Sequence, residues 1–301
     1  MGMVDMQLAM KSIKKGINSF QLKVIAMIFM TVDHVGLYRT FFSNPDIHAF
    51  DYNSVLRVIG RVAAPLFLFL LVESLRHTRS KWKFILRLYI ASVAIQIGNA
   101  IFMRYVADGY FETLGNILQT FTYTALYITC IEWLINEIRS RRILKCLLPS
   151  VLMVIPIVIA WLYMFSVESS KYNLFNFIRT FAPSPFVVEF SLVFVLLGIA
   201  WYFINNKIYN CILFAILCAV CFVVPHAVFF NVPVGIFRPL FFNVYQLFAS
   251  TQWCMLLALP FMLLYNGQKG KSCKYLFYAY YPLHQYLLFA LQIYVINSKY
   301  V

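Results

Sequence analysis

Residues Leu22 to Phe41 read LKVIAMIFMTVDHVGLYRTF, an apolar run about as long as a bilayer-crossing helix requires, yet with Lys23 near one end and Asp33 and His34 well inside it. An ionisable group near the middle of a spanning helix costs on the order of 3 kcal/mol, so such residues face protein or water and by default mark a working site. At about 100° per residue, the eleven-residue step from Lys23 to His34 returns to within about 20° of the same face. Lys23, Met27, Met30 and His34 therefore form one stripe, with the lysine and imidazole roughly 16 Å apart along the axis.

The rest of the chain extends this pattern. Of its 301 residues, 62% are hydrophobic and only 12% charged, far from soluble-domain averages. Repeated apolar runs leave no room for a soluble domain of ordinary size, so residues 1–301 read as one all-α, polytopic membrane bundle. The expected spans are Leu22 to Phe41, Ser54 to Leu75, Phe84 to Met103, Leu114 to Ile135, Leu144 to Phe165, Phe186 to Ile204, Ile208 to Val224, Val244 to Tyr265 and Tyr275 to Ile296, about nine crossings. Pro225 to Asn243, broken by Pro225, Pro233, Gly235 and Pro239, reads as a re-entrant or interfacial segment. Residues 1–21, with Lys11, Lys14 and Lys15, read as a cytosolic basic segment, either a short amphipathic helix on an anionic inner leaflet or a frayed basic tail.

The net charge of +14 is explained by position. Ser12 to Lys15, Arg76 to Lys83, Arg139 to Lys145, Lys207 and Lys269 to Lys274 are alternate connections, while the intervening ones hold most of the loop acids. That is the positive-inside pattern, and it predicts a plasma- or inner-membrane protein with a cytosolic N-terminus and an outside C-terminus. Its basic partner is anionic lipid, with no nucleic acid implied. Seven cysteines are scattered along the spans as small hydrophobes, and Cys218 with Cys221 reads as core packing. Neither zinc-type spacing nor a Walker or GxGxxG motif is present, so no metal is predicted.

Helices one and two should be antiparallel neighbours. Counting rise from each face brings Arg61 level with Asp33 and His34, and Glu73 level with Lys23. The expected outer layer is Asp33, His34, Arg57 and Arg61; the inner is Lys23, Glu73, Arg76 and His77, with Glu73 and His77 an i, i+4 pair. Pro65 lacks the N–H that would bond the Arg61 carbonyl. By the same rise, Pro282 and His284 on the last helix reach the outer layer. Adjacent residues point about 100° apart, so Asp33 is not expected to orient His34. Pairing of these ions simply to neutralise buried charge is the plainer account, but two whole layers of ions are hard to explain by packing alone.

Lys23 with Asp33-His34, RVIGRVAAPLFLFLLVESLRHT from Arg57 to Thr78, Arg87-Leu88, and FYAYYPLH from Phe277 to His284 resemble the TraX family, associated with acetylation of conjugative pilin. A basic residue followed after ten residues by histidine in the first span also resembles multispanning acyltransferases that acetylate surface glycans. The resemblance implies acetyl-CoA, or another acyl-CoA, as cytosolic donor and an envelope protein or glycan as acceptor. It implies a donor site of Lys23, Glu73, Arg76, His77 and Arg87, and a catalytic set of His34, Asp33, Arg57, Arg61 and His284. His34 would be general base, directly or through an acetyl-histidine, and Arg57 or Arg61 would steady the oxyanion. A transporter or flippase is the alternative, since buried ions also line substrate paths. A non-catalytic pilus or envelope assembly protein is the third reading. Acyl-CoA hydrolysis would favour the first, and uptake without acylation the second.

Overall fold

A computed structural model of the protein describes residues 16–37, 52–105, 116–166, 181, 188–223, 251–272 and 274–299. The basic segment before residue 16, the connections carrying Asp108, Glu112, Pro183 and Pro185, and the stretch 225–243, expected to be re-entrant or interfacial, lie outside them. The described residues are helical, apart from turns and one isolated bridge between Ile17 and Tyr265. In chain order the helices are α1 (Ser19–Leu37), α2 (Tyr52–Gly60), α3 (Ala63–Arg76), α4 (Lys81–Tyr105) and α5 (Ile117–Arg139). A 3-10 turn at Ile143–Cys146 leads into α6 (Leu147–Ser166), and α7 (Ser191–Ile204) and α8 (Lys207–Val223) follow. The 3-10 helix Thr251–Ala258, α9 (Leu259–Leu264) and α10 (Lys274–Lys299) complete the order.

Among the described residues, three helical stretches are long and apolar enough to cross a membrane: Ser19–Leu37, Val55–Arg76 and Lys81–Phe102. Shorter apolar helices occupy Ile143–Ile159, Leu192–Ile204, Lys207–Val223 and Gln252–Leu264. The second expected span is divided only in its bonding: the helical hydrogen-bond pattern lapses at Arg61 and Val62 between α2 and α3, while Val62 keeps helical dihedrals (φ −61°, ψ −30°) and Val55–Arg76 runs on as one stretch. Pro65 accounts for part of this, because it removes the donor that would have bonded the Arg61 carbonyl.

Apolar side chains face outward as well as inward. Leu86, Ile90 and Ile101 on α4, Val154 and Leu162 on α6, and Ile216 and Phe222 on α8 are all exposed. Polar groups go to the interior instead, including His34, Arg61, Asn116, Thr120, Gln285 and His284. Such an arrangement fits a lipid surround, where polar groups must be satisfied within the protein. In α5 the hydroxyls of Thr122, Thr124 and Thr129 bond the carbonyls of Leu118, Thr120 and Ala125, which lets a threonine-rich face pack in the core.

The centre of the bundle is α3, whose buried side chains run from Ala63 to Leu75. It packs with α1, α5 and α7, and Trp201 and Asn210 tie α7 to α8 by exchanging hydrogen bonds with each other's carbonyls at 3.0 and 3.1 Å. Against α1 and α4 lies α10, whose Tyr286 hydroxyl donates to Asn99 Oδ1 at 2.9 Å. The interface of α1, α3 and α10 therefore receives residues from both ends of the sequence.

Candidate functional site

Asp33 on α1 meets two guanidinium groups. Arg57 Nη1 donates to its Oδ2, and Arg61 Nη2 lies 3.2 Å from its Oδ1 as an ion pair without hydrogen-bond alignment. Arg61 Nε also donates to the Arg57 carbonyl at 3.3 Å, so the two arginines are held as a pair on one carboxylate. Arg61 is only 6% exposed. A guanidinium that deep must be paired, since removing one partner of a buried ion pair typically costs about 3–5 kcal/mol. Asp33, Arg57 and Arg61 thus sit together, and Asp33 orients arginines while His34 finds a different partner.

That partner is His284. Nδ1 of His34 and Nε2 of His284 are 2.6 Å apart, and the near-parallel rings have centroids separated by 4.8 Å. This separation is what two rings give when joined edge to edge through facing nitrogens, rather than stacked face to face. His284 Nδ1 in turn donates to the carbonyl of Tyr280 at 2.7 Å, one turn back on α10. Tyr280 is itself fixed: its ring lies parallel to the His284 ring at 4.9 Å, and its hydroxyl meets Thr31 Oγ1 at 2.5 Å. Both histidines are buried, at 9% and 6% exposure.

His34, Asp33 and Arg61 line a cavity of about 40 Å³, closed by Gly60, Phe67, Phe190 and Tyr281. That is room for a small group of a few heavy atoms. A carboxylate passed over by the sequence reading completes it. Glu189 precedes α7 at a turn where Phe190 takes φ +62°, a left-handed conformation that a side-chain-bearing residue adopts only under constraint. The Tyr281 hydroxyl accepts from the Ile117 N–H at 3.0 Å and hydrogen-bonds the Glu189 carboxylate. Glu189 Oε2 is buried without a hydrogen-bond partner among the described residues. Its sequence signal was an acid just inside an apolar run, the same kind of signal that drew attention to Asp33.

A second cavity of about 240 Å³ adjoins the first. Lys23, Arg87, Ser74 and Phe277 line it, and the Lys23 ammonium lies 5.4 Å from the centre of the Phe277 ring. Met30, Phe67, Ile117 and Tyr281 line both cavities, so the stripe Lys23, Met27, Met30, His34 runs from one into the other. The remaining inner residues are placed apart from this path. Glu73 pairs with Arg76 rather than with His77. Arg76 reaches across to the carbonyls of Trp201 and Tyr202, where it caps the C-terminal end of α7. His77 is exposed at the end of α3. None of these three lines the larger cavity.

Comparison with known proteins places the geometry in a family. The model described as "TraX protein" matches residues 19–292. A protein called "Probable fimbrial assembly protein FimC, serogroup H1" from Dichelobacter nodosus is 40% identical over 79 residues, which is 26% of this chain. The match spans 30% of that relative's length. No solved structure matches.

Proposed function

The chain belongs to the TraX family, and on that premise we propose that it is a membrane-embedded acyltransferase, moving an acetyl or other acyl group from cytosolic acyl-CoA to an envelope acceptor. The observation that carries this reading is the pair of adjoining cavities, cationic at one end and lined at the other by His34, which His284 backs. In this proposal the bundle crosses the plasma or inner membrane about nine times, with the N-terminus cytosolic and the C-terminus outside. Lys23 and Arg87 meet the CoA phosphates by charge-assisted hydrogen bonds, with the basic end of α3 near the entrance. The larger cavity is too small for a whole CoA and takes the narrow pantetheine arm along the Lys23 to His34 stripe. Its end is the small cavity, which receives the thioester.

There His34 takes the proton of the attacking hydroxyl or amine. Arg61, held in place by Asp33 and the Arg57 carbonyl, steadies the oxyanion that forms at the thioester carbon. Glu189 faces the same cavity and would hold the acceptor's polar group by its partnerless oxygen. The fimbrial assembly relative supports a pilus component as acceptor, and the same relative's name keeps a non-catalytic assembly role as the second reading.

The test is acyl transfer by the purified, detergent-solubilised protein from radiolabelled acetyl-CoA to a pilin or envelope preparation. Label on the acceptor, lost in His34→Ala, is the expected outcome. A monodisperse protein that neither releases CoA nor labels any acceptor would move the function to the assembly reading.

A further inference from the structure

A carbonyl oxygen can only accept a hydrogen bond, and this fixes the protons in the histidine pair. Because His284 Nδ1 lies 2.7 Å from the Tyr280 carbonyl, Nδ1 carries the proton. In the neutral ring, His284 Nε2 is then an acceptor. The contact of 2.6 Å to His34 Nδ1 therefore runs from His34 to His284, and His34 also carries its proton on Nδ1. Its lone pair is left on Nε2.

We propose that His284 is a positioning residue which, anchored on the Tyr280 carbonyl, locks His34 in the Nδ1–H tautomer and receives the positive charge that His34 acquires during transfer. The inference rests on the acyltransferase reading for its chemistry, but the tautomers do not. His284 holds the place that a carboxylate holds in a Ser-His-Asp triad, where the third residue fixes the tautomer of the base. The local carboxylates are otherwise engaged or elsewhere. Asp33 is ion-paired with both arginines, and Glu189 stands on another element, hydrogen-bonded by Tyr281.

The proton path balances. As the acceptor's O or N bonds to the thioester carbon, its proton goes to His34 Nε2. His34 Nδ1–H then passes along the existing hydrogen bond to His284 Nε2, which leaves His34 neutral and moves the charge from α1, where Asp33 holds the two arginines, onto α10. When the C–S bond breaks, the protons shift back and the thiolate takes the one on His34 Nε2. A neutral accepting histidine suits this place, since a third fixed positive charge beside two arginines would be opposed.

Nitrogen-15 NMR of the detergent-solubilised protein labelled at its five histidines reads the tautomers directly, with His34→Gln and His284→Gln supplying the assignments. Expected are a protonated Nδ1 and bare Nε2 on both rings, with a scalar coupling between His34 Nδ1 and His284 Nε2. A protonated Nε2 on His34 with a bare Nδ1 would overturn the proposal. In kinetics, His284→Ala should lower kcat roughly 100-fold, at the low end of what a positioned base contributes, with KM for acyl-CoA unchanged. His284→Gln, whose amide oxygen accepts from His34 Nδ1–H but takes up no proton, should recover only the part of that loss due to the tautomer; equal loss in both variants would overturn the tautomer lock, and full recovery by Gln would overturn the proton transfer to His284. The expected tautomers in a protein that transfers no acyl group would sink the acyltransferase reading and leave the tautomer lock standing.

Discussion

Gly60 lies directly against the backbone of Asp33. A Cβ added at Gly60 would overlap the Cα and Cβ of Asp33, so α1 and α2 approach here as closely as two helices can. The contact explains how two arginines reach one carboxylate: Arg57 precedes Gly60 by three residues and Arg61 follows it directly. Gly60→Ala should therefore separate the helices at the site. Overpacking typically costs about 1–3 kcal/mol, and here the obstruction is backbone, which yields least. A lowered Tm in detergent together with loss of transfer is expected, and an unchanged Tm with full activity would contradict the close approach.

Arg61→Lys keeps the charge but loses the planar fork that reaches both Asp33 and the Arg57 carbonyl. We expect kcat to fall at least about tenfold, since an oxyanion donor typically contributes more than that, with donor binding retained. Unaltered kcat would return Arg61 to a structural role as counter-ion of Asp33.

His34 and Lys23 sit at opposite ends of one stripe and should fail in different ways. His34→Ala is expected to abolish transfer while acyl-CoA still binds, because it removes a group used in the transition state. Lys23→Ala should chiefly raise KM for acyl-CoA. The pattern is read by steady-state kinetics beside equilibrium donor binding, after both variants are shown to be monodisperse. Normal transfer by His34→Ala would remove the base from α1.

Glu189→Gln preserves the shape of the side chain and an oxygen for Tyr281, but removes the charge. Transfer to acceptor should drop more than about tenfold while acyl-CoA affinity stays as it was, the signature of a group on the acceptor side. If donor affinity fell instead, Glu189 would belong with the donor cavity.

Topology is open to a thiol test. Cys146 is partly exposed beside the basic turn after α5, whereas Cys130, Cys211, Cys218, Cys221 and Cys254 are buried. A membrane-impermeant maleimide should leave Cys146 unmodified in intact cells and label it after permeabilisation. The same is expected of Cys273, on a basic connection outside the described residues. Labelling of either in intact cells would reverse the orientation.

Asp33, His34, Arg57 and Arg61 were legible because charge inside an apolar run is rare, and helical rise alone sets their depth. His284 was legible by the same count, but its bond to His34 depends on how α10 packs against α1. Arg76 shows the limit more sharply. Its neighbours in sequence suggested a phosphate ligand, yet the guanidinium lies on the end of α7, more than a hundred residues later. Glu189 carries the same signal as Asp33, an acid in an apolar run, but its place in the small cavity depends on the turn at Phe190, which residue types alone do not specify. The lapse in bonding after Gly60 was visible in Pro65, which marked the hydrogen bond lost at the Arg61 carbonyl.

The two histidines stand 250 residues apart in sequence, on the first described helix and the last. At roughly 5–20 residues per second of synthesis, His34 emerges on the order of 10–50 s before its partner. The bridge of Ile17 to Tyr265 and the hydrogen bond of Ser19 to the Tyr265 hydroxyl at 2.9 Å also await the last part of the chain. A chain that stops short of Tyr265 therefore lacks the partners of Ile17, Ser19 and His34 together.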